Sequence, residues 1–184
     1  MAGILFFAAA LCTAASPLWL LSAVLIHEGG HLFAARLFHW QTPKVRLGPA
    51  GAALRYPGLY PFSEEMWVCL AGPAANLVTV GVCGILLRIA PGAQPCRALL
   101  FYSLGLAAVN LLPVSGTDGG GIFAALCAGL CLPDRAYRLC RAASVLSVLF
   151  LWAISLYVQL KIGFHLSLLA VSLYLTVTVL PDAA

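Results

Sequence analysis

Long apolar stretches, broken by proline and glycine and almost free of charge, constrain this chain more than any other feature. Several approach or exceed the roughly 20 residues that a helix needs to cross a bilayer. Charged residues occupy 9% of the 184 positions and hydrophobic ones 62%. A soluble domain carries about 25% charge, which keeps its surface wetted. Charge this sparse cannot cover a globule in water, so the chain reads as an all-α integral membrane protein. Its length suits one domain over residues 1–184, with about six transmembrane helices and short connections.

The net charge of +4 is spread over the loops without a block of like charges, so it bears on topology and not on nucleic acid. The seven cysteines lie mostly inside apolar runs, where a free thiol behaves as a small hydrophobe. An odd count without a C-x-x-C pair argues against a complete disulfide framework. Cys127 and Cys131 stand a helical turn apart, but no nearby histidine or second pair completes a soft-metal site.

Met1 to Ala15 is apolar but lacks a positively charged start, so a retained first helix is expected rather than a signal peptide. Ser16-Pro17 opens a second helix to about Phe38. The texture then changes. Between Gln41 and Pro61 seven prolines and glycines flank Lys44–Leu47 and Ala52–Tyr56, which read as a small β-hairpin. Strand edges cannot face lipid, so the hairpin is expected to be membrane-associated, at the interface or covered by protein. A third helix is expected over Ser63–Ile89, with Glu64 and Glu65 in its first turn, where the helix dipole favours acids. A fourth spans Arg97–Leu112 and ends at Pro113. A glycine-rich segment, Ser115–Gly121, opens a short apolar helix to about Leu132. A fifth runs from Pro133 to about Leu160, and a sixth follows Gly163 to Leu180. No internal repeat suggests the inverted halves of a transporter.

With six spans, Arg36, Lys44, Arg46, Arg55, Arg135, Arg138 and Arg141 share one side, against Arg88, Arg97 and Lys161 on the other. The positive-inside rule puts the richer side in the cytoplasm, with both termini there.

His27-Glu28-Gly29-Gly30-His31 is the one cluster of ionisable residues well inside an apolar helix. Residues four apart share a face, so both imidazoles can reach one ion. Glu28, one residue further round, can touch a water on that ion without ligating it. H-E-x-x-H therefore supplies two zinc ligands and a general base. Chance matches occur in soluble helices, but an unpaired charge at bilayer depth costs about 2.5–3.5 kcal/mol. Three ionisable residues in one turn need a shared partner. The two glycines weaken the helix locally and would let a substrate or another helix approach closely.

A catalytic zinc commonly takes three protein ligands and keeps one position open. The candidates for the third are His39, Asp118 and His165. His39 lies past the end of its helix, and His165 falls near the opposite end of the bundle. Asp118 heads Asp-Gly-Gly-Gly, on the same side as the far half of the second helix. It also suits an ordinary helix N-cap. The two roles are compatible, and the topology favours Asp118 as the ligand.

With these residues in hand, the chain resembles the site-2 protease family of intramembrane zinc metalloproteases. The likeness rests on His27-Glu28-Gly29-Gly30-His31, on Ala71-Gly72-Pro73-Ala74-Ala75-Asn76, and on Asn110-Leu111-Leu112-Pro113 followed by Asp118-Gly119-Gly120, in the family's order over residues 17–130. It is most similar to the compact branch that includes the sporulation sigma-factor-processing protease. The resemblance implies that His27, His31 and Asp118 bind one zinc ion per chain, with Glu28 as the base. It places Asn76 and Asn110 near the cleft as substrate or transition-state contacts. The bland alternatives stay open: Asn76 bonding across helices, Asn110 capping the break before Pro113, and Gly72 with Pro73 simply permitting close packing. Three departures bear on regulation and substrate choice. A PDZ domain and a C-terminal nucleotide-sensing domain are not expected, and Val114-Ser115-Gly116-Thr117 replaces the usual proline-containing link.

The implied activity is endopeptidase cleavage of membrane-embedded or membrane-associated proteins, Glu28 activating a zinc-bound water. Membrane lipids and a membrane regulatory protein are the other candidate partners; nucleic acid is not. A bacterial cell membrane is the expected location, with the site toward the cytoplasmic half. Two rivals remain. A non-catalytic membrane zinc protein, such as a pseudoprotease adaptor, has no need of Glu28. A metal or proton transporter would distribute polar residues through several helices.

Overall fold

The computed structural model describes residues 17–41, 44–48, 51–55, 58–161 and 166–179. The expected first helix, Gly3–Ala15, lies outside them. Six helices follow in order: α1 (Pro17–Leu37), α2 (Phe62–Ile89), α3 (Gln94–Asn110), α4 (Asp118–Leu130), α5 (Pro133–Lys161) and α6 (Leu166–Val179). Between α1 and α2, β1 (Lys44–Gly48) pairs antiparallel with β2 (Gly51–Arg55), with Lys44 opposite Arg55 and Gly48 opposite Gly51.

Among the described residues three helices are long and apolar enough to cross a membrane: α1, α2 and α5, of 21, 28 and 29 residues. The other three are shorter, at 17, 13 and 14 residues. At 1.5 Å per residue α3 is at the lower limit for a bilayer crossing, and α6 is flanked on both sides by residues outside the described ones. Asn110 ends α3 just before Pro113, and α4 restarts at Asp118.

The burial pattern is the reverse of a soluble protein's. Large apolar side chains face out, among them Leu18, Leu25 and Phe33 on α1 and Val78, Ile85 and Ile89 on α2. The fully buried side chains include Asn76, Ser103, Ser144, Ser155 and Ser172. Lipid solvates leucine well, so helices associate instead through small residues and interhelical hydrogen bonds. The chain is a membrane protein.

α2 is the central helix, packed against α1, α3 and α4, and α5 joins α4 to α6. The α1–α2 crossing is close because Gly30 has no side chain: a Cβ there would run into the carbonyl of Ala71. Gly29, its neighbour, faces open space. Beyond the crossing, Ala34, Ala35 and Val68 form a small core with Phe38 and Trp40. α1 ends in a Schellman motif, with Trp40 N–H bonding the Ala35 carbonyl at 2.8 Å and His39 N–H that of Arg36 at 3.0 Å. His39 carries the positive φ (57°) that this cap requires. Trp40 then stacks on Tyr60, centroids 3.9 Å apart, and donates its indole N–H to Glu64 at 2.8 Å. The end of α1 and the start of α2 are thus clamped, and the hairpin lies between the clamped points.

At the other side of α4, Val114 packs with Val148, Leu151, Val171 and Leu175. Ser144 accepts the backbone N–H of Ser115 at 3.0 Å, tying α5 to the turn that precedes α4.

The two glycines of α1 make a paired prediction. Gly30→Ala overpacks the crossing, which costs about 1–3 kcal/mol and should lower the detergent unfolding midpoint by several degrees. Gly29→Ala meets nothing and gains up to about 1 kcal/mol of helix propensity, so its midpoint should hold or rise. Equal midpoints for the two variants would contradict the packing described.

Candidate metal centre

His27 and His31 project from one face of α1 toward α2 and the start of α4. Behind His31 the wall of α2 is bare: a Cβ on Gly72 would strike the imidazole ring. That ring seats its Nδ1 2.7 Å from the carbonyl oxygen of Val68. A carbonyl only accepts, so Nδ1–H donates and the His31 Nε2 lone pair points the other way. His27 is buried, and its Nδ1 lies 3.1 Å from the amide of the fully buried Asn76. The two rings stand nearly perpendicular, at 83°.

The third group arrives from a turn built for tight passage. Gly116 takes a positive φ (94°), and Thr117 is the N-cap of α4, its hydroxyl oxygen accepting the Gly120 N–H at 3.2 Å. The same hydroxyl lies within donating distance of the Leu112 and Val114 carbonyls, at 2.6 and 2.9 Å. Gly119 and Gly120 lie against the carbonyls of Leu111, Leu112 and Val114 so closely that neither has room for a Cβ. The capping role considered for Asp118 therefore falls to Thr117. Asp118 is the first helical residue, and its carboxylate is left to face α1.

There it meets both histidines. Asp118 Oδ2 is 2.9 Å from His27 Nε2, and Oδ1 is 3.3 Å from His31 Nε2. The two Nε2 atoms are 3.2 Å apart. Oδ2 is buried and receives no directed hydrogen bond despite the short separation from His27. Two imidazole nitrogens and a carboxylate at such range in a buried place are stable only around a cation, whether proton or metal. Four ligands at 2.0–2.1 Å in a tetrahedron stand about 3.3 Å from one another, and two nitrogens with one carboxylate are a zinc donor set. The residues fit that ion. Among the described residues no other group of three His, Cys, Asp or Glu side chains is disposed to hold a metal.

Glu28 is half-buried beside His27 on the next face of α1. Asn110 ends α3, its amide donating to the Leu106 carbonyl at 3.0 Å. Of the other ligand candidates, His39 is exposed in the α1 cap, and His165 lies outside the described residues.

The helical frame carrying this cluster is shared. The site-2 protease from Methanocaldococcus jannaschii superposes with a TM-score of 0.69 over 100% of this chain and 88% of that one, at 21% identity. In sequence, stage IV sporulation protein FB of Bacillus subtilis (strain 168) is 33% identical over 163 residues, 85% of this chain. The chain spans a little over half of that relative's length, 57%. No family model matches the sequence. The fold and the aligned relative agree. The chain belongs to the site-2 protease family.

Two parts of this family member's site were not foreseen from its residues. The Val68 carbonyl carries no side-chain signal at all. Thr117 did carry one, a favoured N-cap residue directly before an acid and three glycines.

Gly72 supplies a test of the geometry that leaves every donor atom in place. Gly72→Ala should push the His31 ring off its seat and lower the zinc bound by the purified protein at least several-fold. Gly81→Ala, on the same helix but facing open space, should bind as wild type does. The check is metal content by plasma mass spectrometry after dialysis against limiting zinc. Equal content in both variants would show that α2 does not seat the ring.

Proposed function

We propose that the chain, acting as one domain, is a zinc-dependent endopeptidase that hydrolyses peptide bonds of membrane-embedded or membrane-associated proteins. The observation that carries the proposal is the convergence of His27, His31 and Asp118 at ligand spacing, with Glu28 on the adjacent face of the same helix. His27, His31 and Asp118 would hold the ion. Zinc bound there would supply Lewis acidity and lower the pKa of water to about 7.

The chain's own residues do the rest. Glu28 takes a proton from the attacking water and returns it to the leaving amine, work worth about 10²–10⁴-fold in rate. It can alternate because it ligates nothing. The Val68 carbonyl keeps His31 in the tautomer that presents Nε2. Apolar walls around the cluster limit how much water reaches it, so a polar path should open to one side. Arg36 near the end of α1, with Arg135, Arg138 and Arg141 on α5, supports a cytoplasmic direction for that path by the positive-inside rule.

A helical substrate hides its scissile carbonyls and must be unwound. The paired strands β1 and β2 lie between the clamped ends of α1 and α2. An outer edge of that ribbon can take an unwound substrate by strand addition. Proline at Val45 or Leu47 removes a backbone donor and should reduce cleavage while zinc content stays at the wild-type level. Undiminished cleavage would remove the hairpin from substrate binding.

The central test uses the full chain in liposomes with a library of membrane-anchored substrates. Glu28→Gln should retain zinc and lose cleavage by at least 10²-fold, and a chelator should abolish wild-type cleavage until zinc is restored. Equal processing by wild type and Glu28→Gln would overturn the protease assignment in favour of a binding role.

A further inference from the structure

His27 and His31 are oriented by different means, and the difference exposes a role for Asn76. For His31 the partner at Nδ1 is a backbone carbonyl, which settles the tautomer outright. For His27 the partner is a side-chain amide, which can either donate or accept. The two choices have opposite consequences across the ring. If the amide nitrogen donates to Nδ1, the imidazole proton sits on Nε2 and blocks it as a ligand. If the amide oxygen accepts from Nδ1–H, Nε2 presents a lone pair to His31 and Asp118.

Two observations point to the second arrangement. Asn76 is fully buried, with its Nδ2 3.1 Å from His27 Nδ1 and its Oδ1 without a hydrogen-bond donor among the described residues. A half-turn of the amide exchanges two groups of nearly equal size, and brings that unpartnered oxygen onto Nδ1. The His27 ring lies between the Asn76 amide and the cluster formed with His31 and Asp118, so Asn76 meets the cluster through that ring.

We propose that Asn76 is a positioning residue: its amide oxygen accepts a hydrogen bond from Nδ1–H of His27 and so holds the Nε2 of that ring unprotonated toward the metal. This deepens the metalloprotease assignment above and rests on it. Both histidines are then tautomer-locked from one helix, His31 by the Val68 carbonyl and His27 by Asn76, eight residues further along α2. An amide serves here where a carboxylate would bury a further negative charge beside Asp118. Loss of such an outer partner typically weakens metal binding about 10- to 100-fold.

The test is zinc affinity of the full-length protein in nanodiscs, by competition with a chromophoric chelator, together with the visible spectrum of the cobalt-substituted protein. Asn76→Leu keeps the branched shape and has no acceptor, and should weaken zinc binding by about 10- to 100-fold and alter the cobalt bands. Asn76→Asp keeps an acceptor oxygen and should bind within a few-fold of wild type. Cleavage by Asn76→Leu should recover at saturating zinc, which a substrate contact would not allow. Wild-type zinc affinity in Asn76→Leu, or an equal loss in Asn76→Asp, would overturn the proposal while leaving the protease assignment standing. Absence of zinc binding by the wild type would overturn both. A measurement on the wild type covers the case in which a variant does not fold. In the zinc-loaded, 15N-histidine-labelled protein, His27 should show a protonated Nδ1 and a metal-shifted Nε2, and the reverse assignment would rule the hydrogen bond out.

Discussion

Two helices can cross as closely as α1 and α2 only where side chains are missing, and here they are missing twice. Gly30 on α1 brings that helix onto the Ala71 carbonyl, and Gly72 on α2 leaves room for the His31 ring. The contact is more than packing. It brings the backbone of α2 within hydrogen-bonding range of an imidazole on α1, so the Val68 carbonyl can fix which nitrogen of His31 faces the cluster. Without it the histidines would be two polar groups on an apolar helix, each lacking a partner and expensive at bilayer depth.

The second half of the site depends on a different economy of space. α4 begins directly after a turn whose carbonyls crowd Gly119 and Gly120. Thr117 takes the capping role, and Asp118 gains the freedom to turn its carboxylate to His27 and His31. The motif Asp-Gly-Gly therefore has one residue for chemistry and two for passage. Interruption of the helical path between α3 and α4 is what places an acid inside the bundle. The irregular backbone there is tolerated because Ser144 and Thr117 satisfy its polar groups.

Much of the fold was legible because hydropathy and helix-breaking residues act locally. The start of α5 at Pro133, and the break after Asn110, follow from proline and from the run of apolar residues. Helix lengths were less legible. A sequence of apolar residues does not say where a chain leaves the helix to bring an acid inward, and α4, at 13 residues, is shorter than a full span. His39 illustrates the same limit on the scale of one residue: its side chain suggests a ligand, while its backbone serves the α1 cap.

The sequence by itself determined the solvent and the chemistry on offer. Charge too sparse to wet a globule requires lipid, and His27, Glu28 and His31 share a helical turn because α-helix geometry places residues four apart on one face. The sequence already favoured Asp118 as the third group, but only the tertiary structure decided how it meets the histidines, which glycines are structural necessities, and what stands behind each imidazole. Those are contacts between segments 37 to 91 positions apart, from His31 to Val68 and from His27 to Asp118. They exist because helices approach to backbone distance; the glycines that permit such an approach are visible in the sequence, but which of them meets a carbonyl or a ring is decided only by the packing of distant segments.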